Sequence, residues 1–471
     1  MPSLKIDRRK FVWGAAAAGL MARRGLAQVP TGATLSIHED APGARMPEDF
    51  TGLSYESAQL ANPHFFSAEN HELIRIFREL TPHGVLRLGG GSSEFTTFSE
   101  DTPPGAPPFE VFGPDTGKTV KTGTVTSQFA LKNLRAFLDA TDWRCIYGLN
   151  LGRGSKENAV REATAAHQVL GGRLIALQIG NEPDSFRNRY RPASYSPQDY
   201  LAEWGAFHDA IAAGVPEARF AGPDISNKLP FFTAFAEYAP SHADIVLLTA
   251  HAYAMGPAGS PNSTLDKLLD SDPHVQTQPE TKLDAMLTTA AAAHLPYRMC
   301  EGNSCWDGGK PGVSDTLASA LWCSDYMLHL SRKGVVGVNL HGGGNGYYTP
   351  IAGLPSAGFD RRPEYFGMQF AQHFAGSRFL SIELIGTNTR VTAYAALSGS
   401  TLLLALINKS DDAVSIQLPQ LERYSRRVHR IVLTGAAFDS KSTTLTSNSQ
   451  QFTAHITIPG HSATLYKLEA R

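Results

Sequence analysis

The chain has 471 residues, of which 42% are hydrophobic, so it is long enough to bury more than one core. Its 42 basic and 44 acidic side chains give a formal net charge of -2, and no long run of one charge sign occurs. This balance argues against nucleic acid or an anionic membrane as a partner.

The first 27 residues are predicted to be a targeting segment and not part of the fold. Residues 7–12 carry a twin-arginine pattern, and an apolar stretch follows at 13–21. Small residues at 25–27 suit cleavage before Gln28. A membrane anchor is the competing interpretation, but the stretch is well short of the roughly 20 residues that span a bilayer. We therefore expect export through the twin-arginine route, to the periplasm or the cell exterior.

From about residue 49 to 374, short apolar runs alternate with longer amphipathic segments, which is typical of parallel strands joined by helices. The predicted strands number eight, as a closed (β/α)8 barrel requires. They are 50–55, 85–88, 145–149, 174–179, 218–222, 245–250, 297–300 and 335–340. The predicted helices are 71–80, 127–140, 157–170, 197–213, 229–237, 282–294 and 315–333.

Two long loops interrupt this alternation, at 100–126 after the second strand and at 256–280 after the sixth. Both leave from the carboxyl ends of predicted strands. Because barrel enzymes keep their chemistry at that rim, we expect both loops to form walls of the site.

After residue 374 the pattern changes to short β-prone runs separated by turn residues, which predicts a sandwich domain at 375–471. Its predicted strands are 391–397, 401–407, 414–418, 430–434, 443–446 and 463–468. A run at 34–37, within the segment 28–48, has no helix after it, and we expect it to pair with the sandwich. The predicted fold class is therefore α/β, a TIM barrel with a C-terminal antiparallel β-sandwich completed by an N-terminal strand.

Four cysteines are present, and the favoured interpretation is that they are reduced. Cys145 and Cys300 lie in apolar strand-like runs and are expected to be buried thiols. A disulfide between Cys300 and Cys305 is the alternative in an oxidising compartment. Since no second closely spaced Cys or His pair accompanies them, no zinc site is predicted.

Two glutamates stand where apolar runs end. Glu182 follows the fourth predicted strand, between Asn181 and Pro183, and Glu301 follows the seventh. Glycosidases need one carboxylic acid to protonate the leaving oxygen and a second carboxylate to attack carbon or activate water. We assign Glu182 as general acid and base and Glu301 as nucleophile. The structural alternatives are a surface turn for Glu182 and a buried partner of Arg87 for Glu301.

Neighbouring strand ends carry residues that could support these carboxyls. Arg87 on the second strand would place a positive charge at the rim, where it keeps a nearby carboxylate ionised. Gly90 and Gly91 follow it and let the backbone approach a ligand. Tyr253, at the end of the sixth strand, could donate a hydrogen bond to Glu301, with simple packing as the alternative.

The glycine-rich stretch at 341–348 follows the eighth predicted strand. Clustered glycine amides can point into a site as donors to an anionic group, such as the carboxylate of a uronic acid. A loop without a binding role is the competing interpretation. A metal-dependent barrel hydrolase is not favoured, because paired histidines are missing from the end of the first strand.

These motifs together resemble glycoside hydrolase family 79, the β-glucuronidases and heparanase relatives among the retaining barrel glycosidases. The resemblance covers nearly the whole chain after the targeting segment. The matching positions, in family order, are 52–56, 86–90, 180–183, Tyr253, Glu301 and the glycine-rich stretch. It implies retention through a covalent glycosyl-enzyme, with Glu182 and Glu301 in the roles given above. It also implies that Asn181 binds the sugar 2-hydroxyl and that Arg87 and Tyr253 support Glu301.

In these relatives loop amides and tyrosines bind the uronate carboxylate, which here indicates Gly344, Asn345, Tyr347 and Tyr348. One departure concerns Trp306, which with Cys305 follows the nucleophile where the glucuronidase relatives have a tyrosine. This difference bears on the identity of the sugar more than on the type of reaction.

The sequence thus predicts an exported, metal-free and cofactor-free retaining exo-β-glucuronidase that acts on a carbohydrate substrate. One alternative is a heparanase-like endo-β-glucuronidase acting on an acidic polysaccharide. A further alternative is a carbohydrate-binding protein without catalysis. The oligomeric state is not predicted.

Overall fold

The structure is a computed structural model that describes residues 33–101, 123–270, 280–388, 390–419, 421, 424–425 and 427–470. The predicted targeting segment and parts of both long loops lie outside these residues, so export stays a prediction. Within the described part, none of the helices combines the length and apolar character needed to cross a bilayer.

The strands and helices follow one another along the chain as an α/β alternation and then a run of strands. The strands are β1 Ala33–Arg45, β2 Thr51–Glu56, β3 Val85–Gly89, β4 Thr96–Ser99, β5 Thr124–Ser127, β6 Arg144–Leu149, β7 Leu174–Ile179, β8 Phe220–Ile225, β9 Ile245–Tyr253, β10 Tyr297–Asn303, β11 Val338–Gly342, β12 Ile351–Leu354, β13 Gly358–Arg361, β14 Arg378–Ile385, β15 Val391–Ser398, β16 Thr401–Asn408, β17 Val414–Gln417, β18 Arg427–Thr434, β19 Thr444–Gln451, β20 His455–Ile458 and β21 Ser462–Glu469. The helices are α1 His71–Leu80, α2 Gln128–Thr141, α3 Lys156–Leu170, α4 Pro197–Gly214, α5 Leu229–Tyr238, α6 Leu265–Leu268, α7 Glu280–Ala292, α8 Leu317–Lys333 and α9 Pro363–Gln372.

Eight parallel strands close into a barrel in the order β10-β11-β2-β3-β6-β7-β8-β9. They are the eight strands that the apolar runs predict, each shifted by a few residues at most. Strands such as β3 and β10 are buried along their whole length, because helices cover the outside of the barrel and side chains fill its inside. The barrel part of the predicted fold class is confirmed.

Several of the described helices begin at a capping side chain. Ser127 accepts a hydrogen bond from the Ala130 amide at the start of α2, and Ser196 forms a capping box with Asp199 at the start of α4. The seven predicted helices are all found. The helix α9 and the single turn α6 were not predicted.

The last part of the chain forms a nine-stranded sheet in the order β19-β18-β21-β16-β15-β14-β1-β17-β20. The sheet curls around a second hydrophobic core that includes Leu35, Leu404 and Ile458. As predicted, the N-terminal strand joins it: β1 pairs antiparallel with β14. The pairing of β1 with β17 is parallel, however, so the sheet is not purely antiparallel. The predicted domain boundaries stay predictions.

All four cysteines are buried and free. The favoured interpretation of reduced, buried thiols agrees with this arrangement. The alternative disulfide between Cys300 and Cys305 is not formed.

A fully buried ion pair joins the barrel to the sheet. Asp325 of α8 accepts from Lys409, which follows β16, with 2.6 Å between Lys409 Nζ and Asp325 Oδ2. The other oxygen of Asp325 accepts from Tyr394 Oη at 2.6 Å and from Thr392 Oγ1 at 2.8 Å. Both charged side chains are 0% exposed, so each depends on the other for its compensation.

We therefore expect Lys409→Met to lower the free energy of unfolding by about 3 to 5 kcal/mol, because it leaves the Asp325 carboxylate buried without its cation. Urea denaturation measures this loss. Replacing both partners, as Lys409→Met with Asp325→Leu, should restore much of it. The exposed pair Arg75 and Glu79 of α1 supplies a control, since Arg75→Met should cost less than about 1 kcal/mol. Equal effects of the two single substitutions would contradict this account.

Candidate active site

The centre of the candidate site is the buried guanidinium of Arg87, at the carboxyl end of the barrel strand β3. Arg87 Nη1 donates to Glu301 Oε2 at 2.7 Å, and Nη2 donates to Asn181 Oδ1 at 2.7 Å and also to Asp224. Its Nε donates to Gln178 Oε1 at 3.0 Å. One cation thus holds groups from three other barrel strands or the turns that follow them.

Glu182 stands just beyond β7 in a left-handed backbone conformation, with φ 51° and ψ 52°. This conformation is unfavourable for a residue with a side chain, and such strain is found at functional sites. The Glu182 amide donates to Asp224 O at 2.9 Å, which holds the turn. The side chain is partly exposed at 27%, so it can reach a ligand from the barrel rim.

His251, on β9, connects Glu182 with a buried acid. Its Nδ1 lies 3.1 Å from Glu182 Oε1, and its Nε2 lies 3.1 Å from Asp224 Oδ2. Burial alone would lower the pKa of His251, but the carboxylates of Asp224 and Glu301 raise it to about 10. The imidazole is therefore protonated at neutral pH and donates a hydrogen bond to Glu182.

Glu301, on β10, is ionised by its surroundings. Its Oε1 accepts from Tyr253 Oη at 2.9 Å, and its Oε2 lies 3.9 Å from His341 Nδ1. Burial alone would raise the pKa of Glu301, but the charges of His341, His251 and Arg87 and the hydrogen bond from Tyr253 hold it well below its usual range. Glu301 is thus a fixed carboxylate, 8% exposed at the base of the site.

The two glutamates are close together, but their pKa values are shifted in opposite directions. Burial raises the pKa of Glu182, and the charge of Glu301 adds to the rise while the hydrogen bond from His251 opposes it. One carboxylate oxygen of each glutamate and a ring nitrogen of His251 all lie within 4.8 Å of one another. A carboxyl with a raised pKa therefore lies close to an ionised carboxylate, and carboxyl pairs whose surroundings move their pKa values apart divide into acid and base.

The same three side chains have the donor types of a metal site, but the surrounding charges disfavour a cation there. Glu301 already accepts from the Arg87 guanidinium at 2.7 Å. His251 would have to lose its proton before a ring nitrogen could bind a metal ion. The arrangement fits acid and nucleophile chemistry better than metal binding.

The structure gives Gly89, the last residue of β3, and Gly90 a role different from ligand approach. A Cβ added at Gly89 would meet the Arg87 guanidinium, and one added at Gly90, where φ is 72°, would meet the Glu56 carboxylate. Gly91 has open space within 4 Å and could accommodate a ligand. Gly89 and Gly90 therefore serve the packing of charged side chains.

The glycine-tyrosine loop, residues 343–348, lies on the same rim after β11. Gly344 is buried with φ 57°, Tyr347 is half-buried, and Asn345 is exposed. The ring of Tyr348 lies 6.3 Å from that of Tyr253, which places it beside the group that donates to Glu301.

Trp306, in the segment after β10, also lies beside Tyr253. Their ring centroids are 6.2 Å apart and nearly perpendicular, and 38% of Trp306 is exposed. It presents an apolar ring at the mouth of the site. Trp306 thus lies with the predicted site residues Arg87, Asn181, Glu182, Tyr253, Glu301 and Tyr348.

Several charged residues of the site have no role predicted from the sequence. Asp224 lies beyond a strand predicted only as far as residue 222, and His251 and His341 directly follow the predicted strands that end at 250 and 340. The available signal was that each is a polar residue at the carboxyl end of an apolar run. Glu94, buried after β3, accepts from the amides of Asn181 and Leu151 and belongs with these residues.

Comparisons with known proteins agree with this geometry. No protein-family model matches the chain. A β-glucuronidase of Neurospora crassa is 24% identical over 394 residues, covering 76% of this chain and 69% of that protein. A β-glucuronidase of Aspergillus niger is 24% identical over 416 residues, covering 81% and 74%. The crystal structure of a 4-O-α-L-rhamnosyl-β-D-glucuronidase from Fusarium oxysporum 12S has a TM-score of 0.72 and 18% identity, covering 92% of this chain and 99% of that one.

The resemblance to glycoside hydrolase family 79 is confirmed. The chain is a glycoside hydrolase, with the TIM barrel and β-sandwich that such enzymes share. The roles of individual residues stay predictions, and the geometry above supports them.

We expect His251→Asn to move the whole pH profile of kcat/KM to higher pH. The His251 cation lowers the pKa of Glu182 and of Glu301, so its loss raises both. A general acid then stays protonated to higher pH, and a nucleophile becomes ionised only at higher pH. Hydrolysis of a chromogenic β-glycoside across the pH range measures both limbs.

The control is His208→Asn, since His208 is a buried histidine paired with Asp244 at 2.9 Å away from the site. His208→Asn should leave the acidic and basic limbs of the pH profile where they lie in the wild type. A His251→Asn profile with unmoved limbs would show that the imidazole does not set these two pKa values.

Proposed function

We propose that the protein is an exported, retaining exo-β-glucuronidase that removes terminal β-linked glucuronic acid by double displacement. The observation that carries the proposal is the close pair of Glu182, whose pKa is raised, and Glu301, whose pKa lies well below its usual range. Retaining glycosidases place their carboxyl groups roughly 5 to 5.5 Å apart, and inverting enzymes place them about 6.5 to 9.5 Å apart to admit a water. Oxygens within 4.8 Å support the retaining mechanism.

In the first step Glu301 attacks the anomeric carbon while Glu182 gives its proton to the leaving oxygen. Arg87 and Tyr253 hold one oxygen each of Glu301, which fixes the direction of attack. The bond to the aglycone breaks and an ester between the sugar and Glu301 forms.

In the second step a water replaces Glu301 at the same carbon, and Glu182 accepts its proton. Esterification removes the negative charge of Glu301, and that charge is one cause of the raised pKa of Glu182. The pKa of Glu182 therefore falls when the intermediate forms. The same residue is thus suited first to donate and then to accept a proton.

Sugar recognition is proposed from the groups around this pair. Asn181 Oδ1 is occupied by Arg87, which leaves the amide nitrogen of Asn181 to bind the 2-hydroxyl. The carboxylate of the sugar is proposed to bind the glycine-tyrosine loop at Gly344, Asn345, Tyr347 and Tyr348, with Trp306 as an apolar wall. The named activities of the fungal relatives support a glucuronide as substrate.

The substrate proposal predicts that 4-nitrophenyl β-glucuronide is hydrolysed with a higher kcat/KM than the β-glucoside or the β-xyloside. Loop amides and tyrosine hydroxyls would be satisfied by the uronate and left unpaired by a neutral sugar. Preference for a neutral sugar would remove the uronate from the proposal while leaving the glycosidase intact. Release of a single terminal unit from a glucuronide-capped oligosaccharide would distinguish exo from endo action.

The mechanism predicts that Glu182→Gln and Glu301→Gln each reduce kcat by roughly 10²-fold or more, since each removes a group that reacts. Proton NMR during turnover should show the β-anomer of the sugar as the first product. Asp315→Asn, at a buried acid after Trp306 that pairs with Lys441, is a control for the loss of a carboxylate elsewhere. Initial release of the α-anomer would exclude double displacement.

A further inference from the structure

Asn303 is a buried amide two residues beyond Glu301 and at the end of the same strand. Its Nδ2 donates to His341 O at 3.0 Å, to Tyr348 O at 3.2 Å and to Glu364 Oε2 at 3.1 Å. Its Oδ1 accepts from the Ser304 amide at 2.6 Å, so the amide has a single satisfactory orientation. One side chain thus connects the nucleophile strand with β11, the glycine-tyrosine loop and α9.

Glu364, the third oxygen partner, is a buried acid that the reaction does not use. It lies in the first turn of α9 and is 1% exposed. Burial raises its pKa well above the usual range, although the hydrogen bond from Asn303 opposes the rise. Its Oε1 is buried without a hydrogen-bond partner among the described residues, so a proton on this acid avoids an uncompensated charge. Glu364 is therefore a neutral acceptor that holds the Asn303 amide.

The carbonyl of Tyr348 ends the loop that is proposed to bind the uronate. The ring of Tyr348 lies 6.3 Å from that of Tyr253 and 6.0 Å from that of His341. Both of those residues face Glu301. A shift of the Tyr348 backbone would therefore move the loop and the rings beside the nucleophile together.

We propose that Asn303, held by Glu364, is a positioning residue that sets the glycine-tyrosine loop at the distance from Glu301 that a uronic acid requires. The inference rests on the proposed function, and it goes further by assigning substrate discrimination to an amide that does not touch the sugar. Loss of the Asn303 donors would remove one hydrogen bond from each of the carbonyls of His341 and Tyr348 and leave the loop without this tie to β10.

The experiment measures kcat and KM for 4-nitrophenyl β-glucuronide and β-glucoside with the wild type, Asn303→Ala and Glu364→Gln. Asn303→Ala is expected to lower the ratio of the two kcat/KM values by about tenfold or more, through KM for the glucuronide, as expected for loss of hydrogen bonding to a charged group. Glu364→Gln keeps an acceptor oxygen and should retain most of the wild-type ratio. Glu364→Ala removes the acceptor and should resemble Asn303→Ala.

Asn339→Ala is the matched control, because Asn339 is also a fully buried amide at a barrel strand and donates to two backbone carbonyls, those of Leu53 and Val85. It should reduce stability without changing the ratio. If Asn303→Ala changes both substrates by the same factor, or changes neither, the positioning role is overturned. A wild type that shows no preference for the glucuronide would instead sink the proposed function, and that outcome is visible before any variant is measured.

Discussion

The buried guanidinium of Arg87 is the constraint on which the site depends. An arginine does not lose its proton in a protein, so its burial requires anions nearby. Asp224 and Glu301 supply them, and both have pKa values below the usual range because burial is outweighed by neighbouring positive charge. Glu301 is therefore ionised as part of the same charge balance that lets the barrel bury Arg87.

That balance also bears on Glu182, whose pKa is raised by burial and by the charge of Glu301. His251 is a second cation, but its two ring nitrogens are shared between Glu182 and Asp224, and its charge is attracted to Glu301 as well. If Glu182 were also ionised, nearby cations would compensate its negative charge less well than they compensate those of Asp224 and Glu301. Glu182 is also the more exposed of the two catalytic candidates, on a strained turn at the rim, where it can meet both the leaving group and water.

The sequence predicted what depends on local pattern and missed what depends on pairing across the barrel. Apolar runs located all eight barrel strands, because a strand buried on both faces must be apolar along its length. Arg87 and Glu301 are 214 positions apart in the chain, so hydrophobic periodicity could not predict their pairing. The match of both positions to the motifs of a known family suggested it. Asp224 and His251 had no such match, and nothing local distinguishes a charged partner from a strand end exposed to water.

In the sheet, β14 was missed for a different reason. Five of its eight residues are apolar, and beyond the first three its side chains alternate between half-buried and exposed, so its composition is compatible with a strand but does not identify its partner. Its place in the sheet comes from backbone pairing with β1, more than 300 positions earlier in the chain. Such pairing is decided by which edge is available in the folded molecule, and a single strand's composition does not reveal it.

The sheet domain also contributes to the active-site rim, through the segment that follows β9. Lys409 Nζ donates to Asp270 O at 2.7 Å in addition to its ion pair with Asp325, and Arg390 pairs with Asp266. The same segment begins at Tyr253 and pairs with Trp306 through a bridge at Pro257. One end of this segment is therefore fixed beside Glu301 and the other is fixed to the sheet. The contact at Lys409 is fully buried, so movement of the sheet relative to the barrel would break it at an energetic cost. The two domains therefore act as one support for the site.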